Sequence, residues 1–153
     1  MTTARTGTTT VDSSDTLSTL QSLPHRYFEQ FVADVWQERQ GWKTELTPPG
    51  SDRGIDILGE PPGEGPKTAV QAKRYAEGRK VTAPDIQQYY SIPRLREDVG
   101  SVTIVTTGGF TRDAKDMAYE LGIKCIDGED LVRVVEKYDA MDILDWYASG
   151  KPK

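Results

Sequence analysis

The sequence predicts an α/β fold with a mixed central β-sheet flanked by helices. A helical apolar stripe precedes three short extended segments, later strands alternate with helical patterns, and Pro/Gly clusters punctuate the joints. Residues 1–20 are rich in Thr, Ser and Asp. Their low apolar content predicts a mostly disordered tail ahead of one domain over 21–150. The first helix is expected near Pro24, a residue suited to a first turn. It carries Phe28, Phe31, Val32, Val35 and Trp36 at i, i+3, i+4, i+7 and i+8, and stops at Gly41.

Strands over Trp42–Thr47, Ile55–Leu58 and Thr68–Lys73 follow, separated by Pro48-Pro49-Gly50 and by the run from Pro61 to Pro66. The second connection reads as a mobile hairpin loop, which makes the strands it joins antiparallel neighbours. Thr82 precedes a helix from Pro84 that carries Ile86, Gln87, Tyr89 and Tyr90. Ser101–Thr106 is a β-branched strand. Residues 107–111 form a loop whose Thr111 suits the cap of a helix over 112–121. Cys125-Ile126 is a short strand, Leu131–Val135 begins another helix, and Met141–Trp146 is an apolar patch for this chain or a partner subunit.

The 153 residues suit one domain able to bury a core. No apolar run approaches the ~20 residues of a membrane span, and the N-terminus lacks the apolar centre of a signal peptide. A single cysteine, Cys125, cannot form an internal disulfide, so a reducing cytoplasm is the expected compartment. Cys125 reads as a small buried hydrophobe. The lone histidine, His25, reads as a solvated helix residue, and one His with one Cys excludes Cys/His zinc sites and histidine-metal nuclease motifs. The net charge of −5 argues against a nucleic-acid partner, but it is unevenly spread. Residues 67–100 hold seven Lys and Arg against four Asp and Glu, among them Lys67, Lys73, Arg74, Arg79 and Lys80. We read this segment as a local phosphate-contacting patch.

The chemistry concentrates in Gly54-Ile55-Asp56-Ile57 and Val70-Gln71-Ala72-Lys73-Arg74-Tyr75. Side chains alternate along a strand, so Gln71 and Lys73 point the same way. If the strand carrying Asp56 pairs with theirs, a carboxylate, an amide oxygen and an ammonium converge at one sheet edge. That is the layout of a metal-dependent phosphodiesterase.

These residues resemble the PD-(D/E)xK nuclease superfamily, and within it the catalytic domain of Mrr-like type IV restriction endonucleases, related to archaeal Holliday-junction resolvases. The resemblance runs from about Tyr27 to Val135. Its pieces are Phe28-Glu29, the segment from Gly50 to Ile57, Val70 to Tyr75, Thr106-Thr107 with Phe110-Thr111 and Ala114, and Ile126-Asp127-Gly128 before Leu131. It implies a restriction-endonuclease-like core, with Asp56 as the metal-binding carboxylate and Lys73 as the motif lysine. Gln71 stands where Glu or Asp is usual, and Glu29 matches an acidic residue from the first helix. Full-length Mrr-type enzymes usually carry a separate DNA-recognition domain, for which this chain is expected to have no room.

On this reading Mg²⁺, with Mn²⁺ as a substitute, is held by Asp56, the Gln71 carbonyl oxygen and the Ala72 backbone carbonyl. Lys73 orients or helps deprotonate the attacking water and stabilises negative charge, with desolvation and the cation lowering its pKa and Asp56 opposing them. Gln71 removes one negative charge from the ligand set, which weakens cation binding unless Glu29 compensates. Glu29 is otherwise an ordinary exposed helix glutamate. Asp52 reads as a turn residue and Gly54 as a close backbone approach. Arg74, Arg79, Lys80 and Gln88 are candidate DNA contacts, although Gln87 and Gln88 equally suit a plain surface face, and Tyr75 suits packing. Thr106 and Thr107 would close the site from the neighbouring strand. The expected function is a DNA endonuclease of restriction or defence type, acting as a homodimer because cutting two strands needs two sites. The alternatives are a junction resolvase or a non-catalytic DNA-binding module on the same fold.

Overall fold

A computed structural model describes residues 13–47, 55–91 and 97–150. The readings for Asp52, Gly54 and Pro48-Pro49-Gly50, like those for residues 1–12, lie outside the described residues. The elements run α1 (Ser13–Ser22), α2 (His25–Gln40), β1 (Lys43–Leu46), β2 (Ile57–Glu60), β3 (Lys67–Lys73), β4 (Lys80–Val81), α3 (Ala83–Tyr90), β5 (Val99–Thr106), β6 (Gly109–Phe110), α4 (Arg112–Leu121), β7 (Lys124–Ile126), α5 (Gly128–Lys137) and α6 (Met141–Ala148). No helix among the described residues is long and apolar enough to cross a membrane.

The main sheet has five strands in the order β1-β2-β3-β5-β7. The β1/β2 and β2/β3 pairs are antiparallel, whereas β3/β5 and β5/β7 are parallel. The mixed α/β sheet expected from the sequence is therefore present, with the β2–β3 hairpin at its centre. Alternation sends the two sets of side chains to opposite faces. Ile57, Val70, Ala72, Val105 and Ile126 pack beneath α1, α2, α5 and α6, against Leu20, Phe28, Phe31, Leu131 and Leu144. Leu58, Ala69, Val102 and Ile104 pack on the other face against Ile86 and Tyr89 of α3 and Ala114 and Ala118 of α4. Burying each large apolar side chain contributes roughly 1.5–3 kcal/mol.

Helix boundaries follow local chemistry. Pro24 stands at the N-cap of α2, and Gly41 ends it in the left-handed region at φ 79°, its N–H donating to the Trp36 carbonyl. Thr82 and Asp85 form a capping box on α3, Thr111 accepts from the Ala114 N–H at the start of α4, and Asp127 with Asp130 box the start of α5. The patch from Met141 packs at home: Ile143, Leu144 and Tyr147 are buried, and Arg39 on α2 grips both Asp142 oxygens at 3.0 Å.

Two features depart from the sequence reading. The segment given to a disordered tail is helical from Ser13, with Thr16 and Leu20 buried. Its sparse Leu17 and Leu20, with Leu23 just beyond its end, suffice because α5 and α6 provide a surface to dock on. The loop read over 107–111 contains β6, which pairs in parallel with β4 to form a second, two-stranded sheet. Gly108 makes that approach feasible, since a Cβ there would lie 2.2 Å from the Arg79 carbonyl oxygen.

Candidate active site

The site is built where the β2–β3 ladder ends. Ile57 opposite Val70 is the last regular pair. Asp56 then leaves the register: its N–H donates to the Val70 carbonyl at 2.9 Å, and its own carbonyl accepts from the Thr47 N–H at 2.9 Å. With no backbone acceptor left opposite Ala72, the Asp56 carboxylate takes that place, its Oδ2 accepting the Ala72 N–H at 2.8 Å. The N–H and C=O of one strand residue point to the same edge, so the Ala72 carbonyl shares the side occupied by Asp56. Lys73 directs its carbonyl the other way, to the Thr107 N–H at 3.1 Å.

Helix α2 brings Glu29 to this strand end. Only 5% of Glu29 is exposed, so it is not the surface glutamate that a helix position suggests by default. Arg26 Nη1 donates to Glu29 Oε1 at 2.6 Å and to the Thr47 carbonyl at 3.1 Å, locking the helix to the end of β1. Glu29 Oε2 lies 2.9 Å from His25 Nε2. One ligand atom each from His25, Glu29 and Asp56 falls within 4.8 Å of the others. Burial pushes the Asp56 carboxyl up to about 6; the Ala72 N–H opposes that rise, Glu29 adds to it, and His25 and Lys73 pull it down.

Gln71 and Lys73 lie on the same face of β3, as their i, i+2 spacing requires. Gln71 Oε1 is buried and has no hydrogen-bond partner, an open acceptor that a cation would satisfy. Asp56 and Glu29 offer carboxylate oxygens close together, and Gln71 and Ala72 on β3 offer neutral ones, the hard donor types that a small divalent cation takes. Lys73 extends between two rings, its Nζ 5.7 Å from the Tyr75 centroid and 5.5 Å from that of Tyr89. Burial pulls its ammonium down, but a hydrogen bond to the Tyr89 hydroxyl, together with Tyr75 and Asp85, holds it above its ordinary value. The direction is opposite to the one desolvation alone would give.

The remaining sequence candidates are distributed around this centre. Arg74 donates to the Gln21 carbonyl at 3.3 Å, which turns it toward α1, while its Nε is buried without a partner. Arg79 is exposed and stacks 4.2 Å over the Tyr75 ring, and Lys80 is exposed on β4. Gln88 is exposed on α3. Thr107 does not face the cluster: its hydroxyl accepts from the Tyr75 N–H at 2.7 Å and donates to the Tyr75 carbonyl at 2.6 Å, while Thr106 accepts from the Gly108 N–H at 3.0 Å. Both pin the strand exits. Sequence reasoning missed the company His25 keeps. It is solvated as expected, at 53% side-chain exposure, yet the i, i+4 spacing to Glu29 was the available signal. Cys125 is half-buried, and burial pushes its thiol up to about 11, leaving it an inert packing group. An apolar groove of about 260 Å³ between α2 and the sheet, lined by Trp36, Trp42 and Gly59, includes none of Glu29, Asp56, Gln71 or Lys73.

The family model Mrr_cat, described as restriction endonuclease, matches residues 20–135. Among solved structures, the MspJI restriction endonuclease in complex with a 27-mer oligonucleotide is similar at 21% identity and a TM-score of 0.67, over 90% of this chain and 35% of that one. The DNA modification-dependent restriction endonuclease AspBHI is similar at 18% identity and a TM-score of 0.69, over 90% of this chain and 39% of that one. Restriction endonuclease FokI bound to DNA gives 14% identity and a TM-score of 0.58, over 88% of this chain and 29% of that one. The chain therefore spans well under half the length of these proteins, which share its fold. No curated protein matches the sequence.

Proposed function

The chain belongs to the Mrr-type restriction endonuclease family, and we propose that it is a metal-dependent DNA endonuclease domain that hydrolyses phosphodiester bonds. The observation that carries this reading is the Asp56 carboxylate, set beside buried Glu29 at the strand end where β3 presents Gln71 and Lys73. Asp56 is the principal cation ligand, Gln71 Oε1 and the Ala72 carbonyl add neutral oxygens, and Glu29 restores the charge that glutamine at position 71 lacks. A Mg²⁺ or Mn²⁺ bound there neutralises charge on the phosphate and acidifies a water.

Lys73 contributes as a cation. Its raised pKa keeps it protonated at neutral pH, so it donates to phosphate oxygens and steadies the charge that grows as water adds to phosphorus and the bond to the 3′-oxygen breaks. The Tyr89 hydroxyl and the two rings hold that ammonium in place. Arg79 and Lys80, both exposed, are the DNA-backbone contacts, with Gln88 of α3 a further exposed candidate and Arg74 held toward α1. Duplex DNA in a restriction setting is the substrate, and a homodimer supplies the second site for the second strand.

The test is cleavage of supercoiled plasmid and of a synthetic four-way junction with Mg²⁺ or Mn²⁺. Wild type is expected to nick or linearise plasmid in preference to junction, with Asp56→Ala and Lys73→Ala each reducing the rate by 10²-fold or more, on the order of a lost electrostatic contact in the transition state. Preference for the junction would assign the resolvase role. Salt-sensitive DNA binding without cleavage under either ion would leave a binding module.

A further inference from the structure

We infer that His25 is a ligand of the cation held at Asp56 and Glu29, giving this site one imidazole nitrogen and a preference for Mn²⁺ over Mg²⁺. The inference rests on the proposal that the site binds a divalent cation and extends it to the choice of ion.

The argument begins with the helix. His25 and Glu29 are i and i+4 on α2, so both project from one face toward the strand end. Arg26 occupies Glu29 Oε1, leaving Oε2 as the oxygen next to His25 Nε2 at 2.9 Å. Two adjacent ligands of an octahedral ion with bonds of about 2.1 Å stand about 3.0 Å apart, and two opposite ones about 4.2 Å. The 2.9 Å separation matches an adjacent pair, and a ligand oxygen of Asp56 lies within 4.8 Å of both, close to the span of one ion.

The charges agree with the geometry. Glu29 and Asp56 bring two carboxylates within 4.8 Å of each other, an arrangement that a dication between them relieves. A second observation comes from the neighbouring strand, where Gln71 Oε1 is buried with no hydrogen-bond partner. Oxygen-only sets suit Mg²⁺, whereas an imidazole nitrogen favours first-row transition ions, Mn²⁺ included, over Mg²⁺. The exposed edge of His25 lets the ring turn without disturbing the core.

The chain has a single histidine, which makes the test direct. The metal-free 153-residue protein is titrated with Mn²⁺ and with Mg²⁺, and the Mn²⁺ complex is examined by pulsed electron paramagnetic resonance for imidazole ¹⁴N coupling. Wild type is expected to show that coupling and to bind Mn²⁺ more tightly than Mg²⁺. His25→Gln should lose the coupling and bind Mn²⁺ about tenfold or more weakly, the scale of losing one orienting or ligating group. Absence of nitrogen coupling in wild type, with Mn²⁺ binding still abolished by Asp56→Ala, overturns the role of His25 and leaves the cation site standing. Mn²⁺ binding that survives Asp56→Ala overturns both. The wild-type spectrum decides the matter even if a variant folds poorly.

Discussion

Asp56 is a carboxyl group that the fold buries at a cost. Burial is the main cause, and Glu29 adds to it, so the folded, cation-free protein retains the Asp56 proton up to about pH 6 against an ordinary value of 3.8. The sign follows from linkage: the folded state binds this proton more tightly than the unfolded chain, so the contribution is fully present below about pH 4 and is lost as pH rises through about 6. Asp56→Asn should therefore stabilise the cation-free protein at pH 7.5 by about 1–2 kcal/mol, after discounting for the part of the group that solvent screens. The advantage should vanish near pH 4, as urea titrations at the two pH values would show. A stabilising effect of the same size at both would mean that the carboxyl is not perturbed. Asp56, Gln71 and Lys73 were legible in the sequence because a period of two and one hairpin fix their relation. His25 and Arg26 were not, because an i, i+4 or i, i+3 pair on a helix acquires meaning only when tertiary packing decides which strand end it meets.

At the scale of elements, α1 does more than its composition suggests. Gln21 donates through Nε2 to the Thr107 carbonyl at 3.0 Å and accepts from Arg74 through its own carbonyl, so this helix ties together the exits of β3 and β5. Leu20, fully buried, is the anchor. Leu20→Ala should cost about 2–5 kcal/mol of global stability by chemical denaturation, the range for truncating a packed leucine. A cost under about 0.5 kcal/mol would mean that α1 is not docked in solution. The helix is not legible because its two leucines, Leu17 and Leu20, do not outweigh a background of Ser, Thr and Asp until α5 and α6 cover them. The β4–β6 pair was missed for another reason: two-residue strands carry no periodicity to read. Strand ends also slipped. Asp56 was placed inside its strand, and it stands just before β2 because its side chain, not its backbone, takes up the pairing with Ala72.

Across the whole molecule, an acidic chain with a net charge of −5 presents an exposed basic pair, Arg79 and Lys80, on the small sheet beyond Lys73. If these two meet phosphates, replacing both by alanine should weaken DNA binding uniformly across sequences. The slope of log affinity against log salt should fall by roughly 2, and an unchanged slope would place the DNA elsewhere. The sheet order has a further consequence for how this protein comes to be made. The carboxylate, the amide and the lysine all belong to the β2–β3 hairpin and its leading edge, and α2 precedes them, so the chemistry is complete in the chain before β5 has been synthesised. β3 must then wait for its parallel neighbour with one edge bare, since β5 pairs along its whole length from Lys67 to Lys73. Parallel pairing at a distance is slow, and an apolar strand with an open edge is prone to join another copy in the interval. The residues after Tyr90 contribute little of the proposed chemistry, but their arrival ends the period in which a growing chain is most exposed to aggregation.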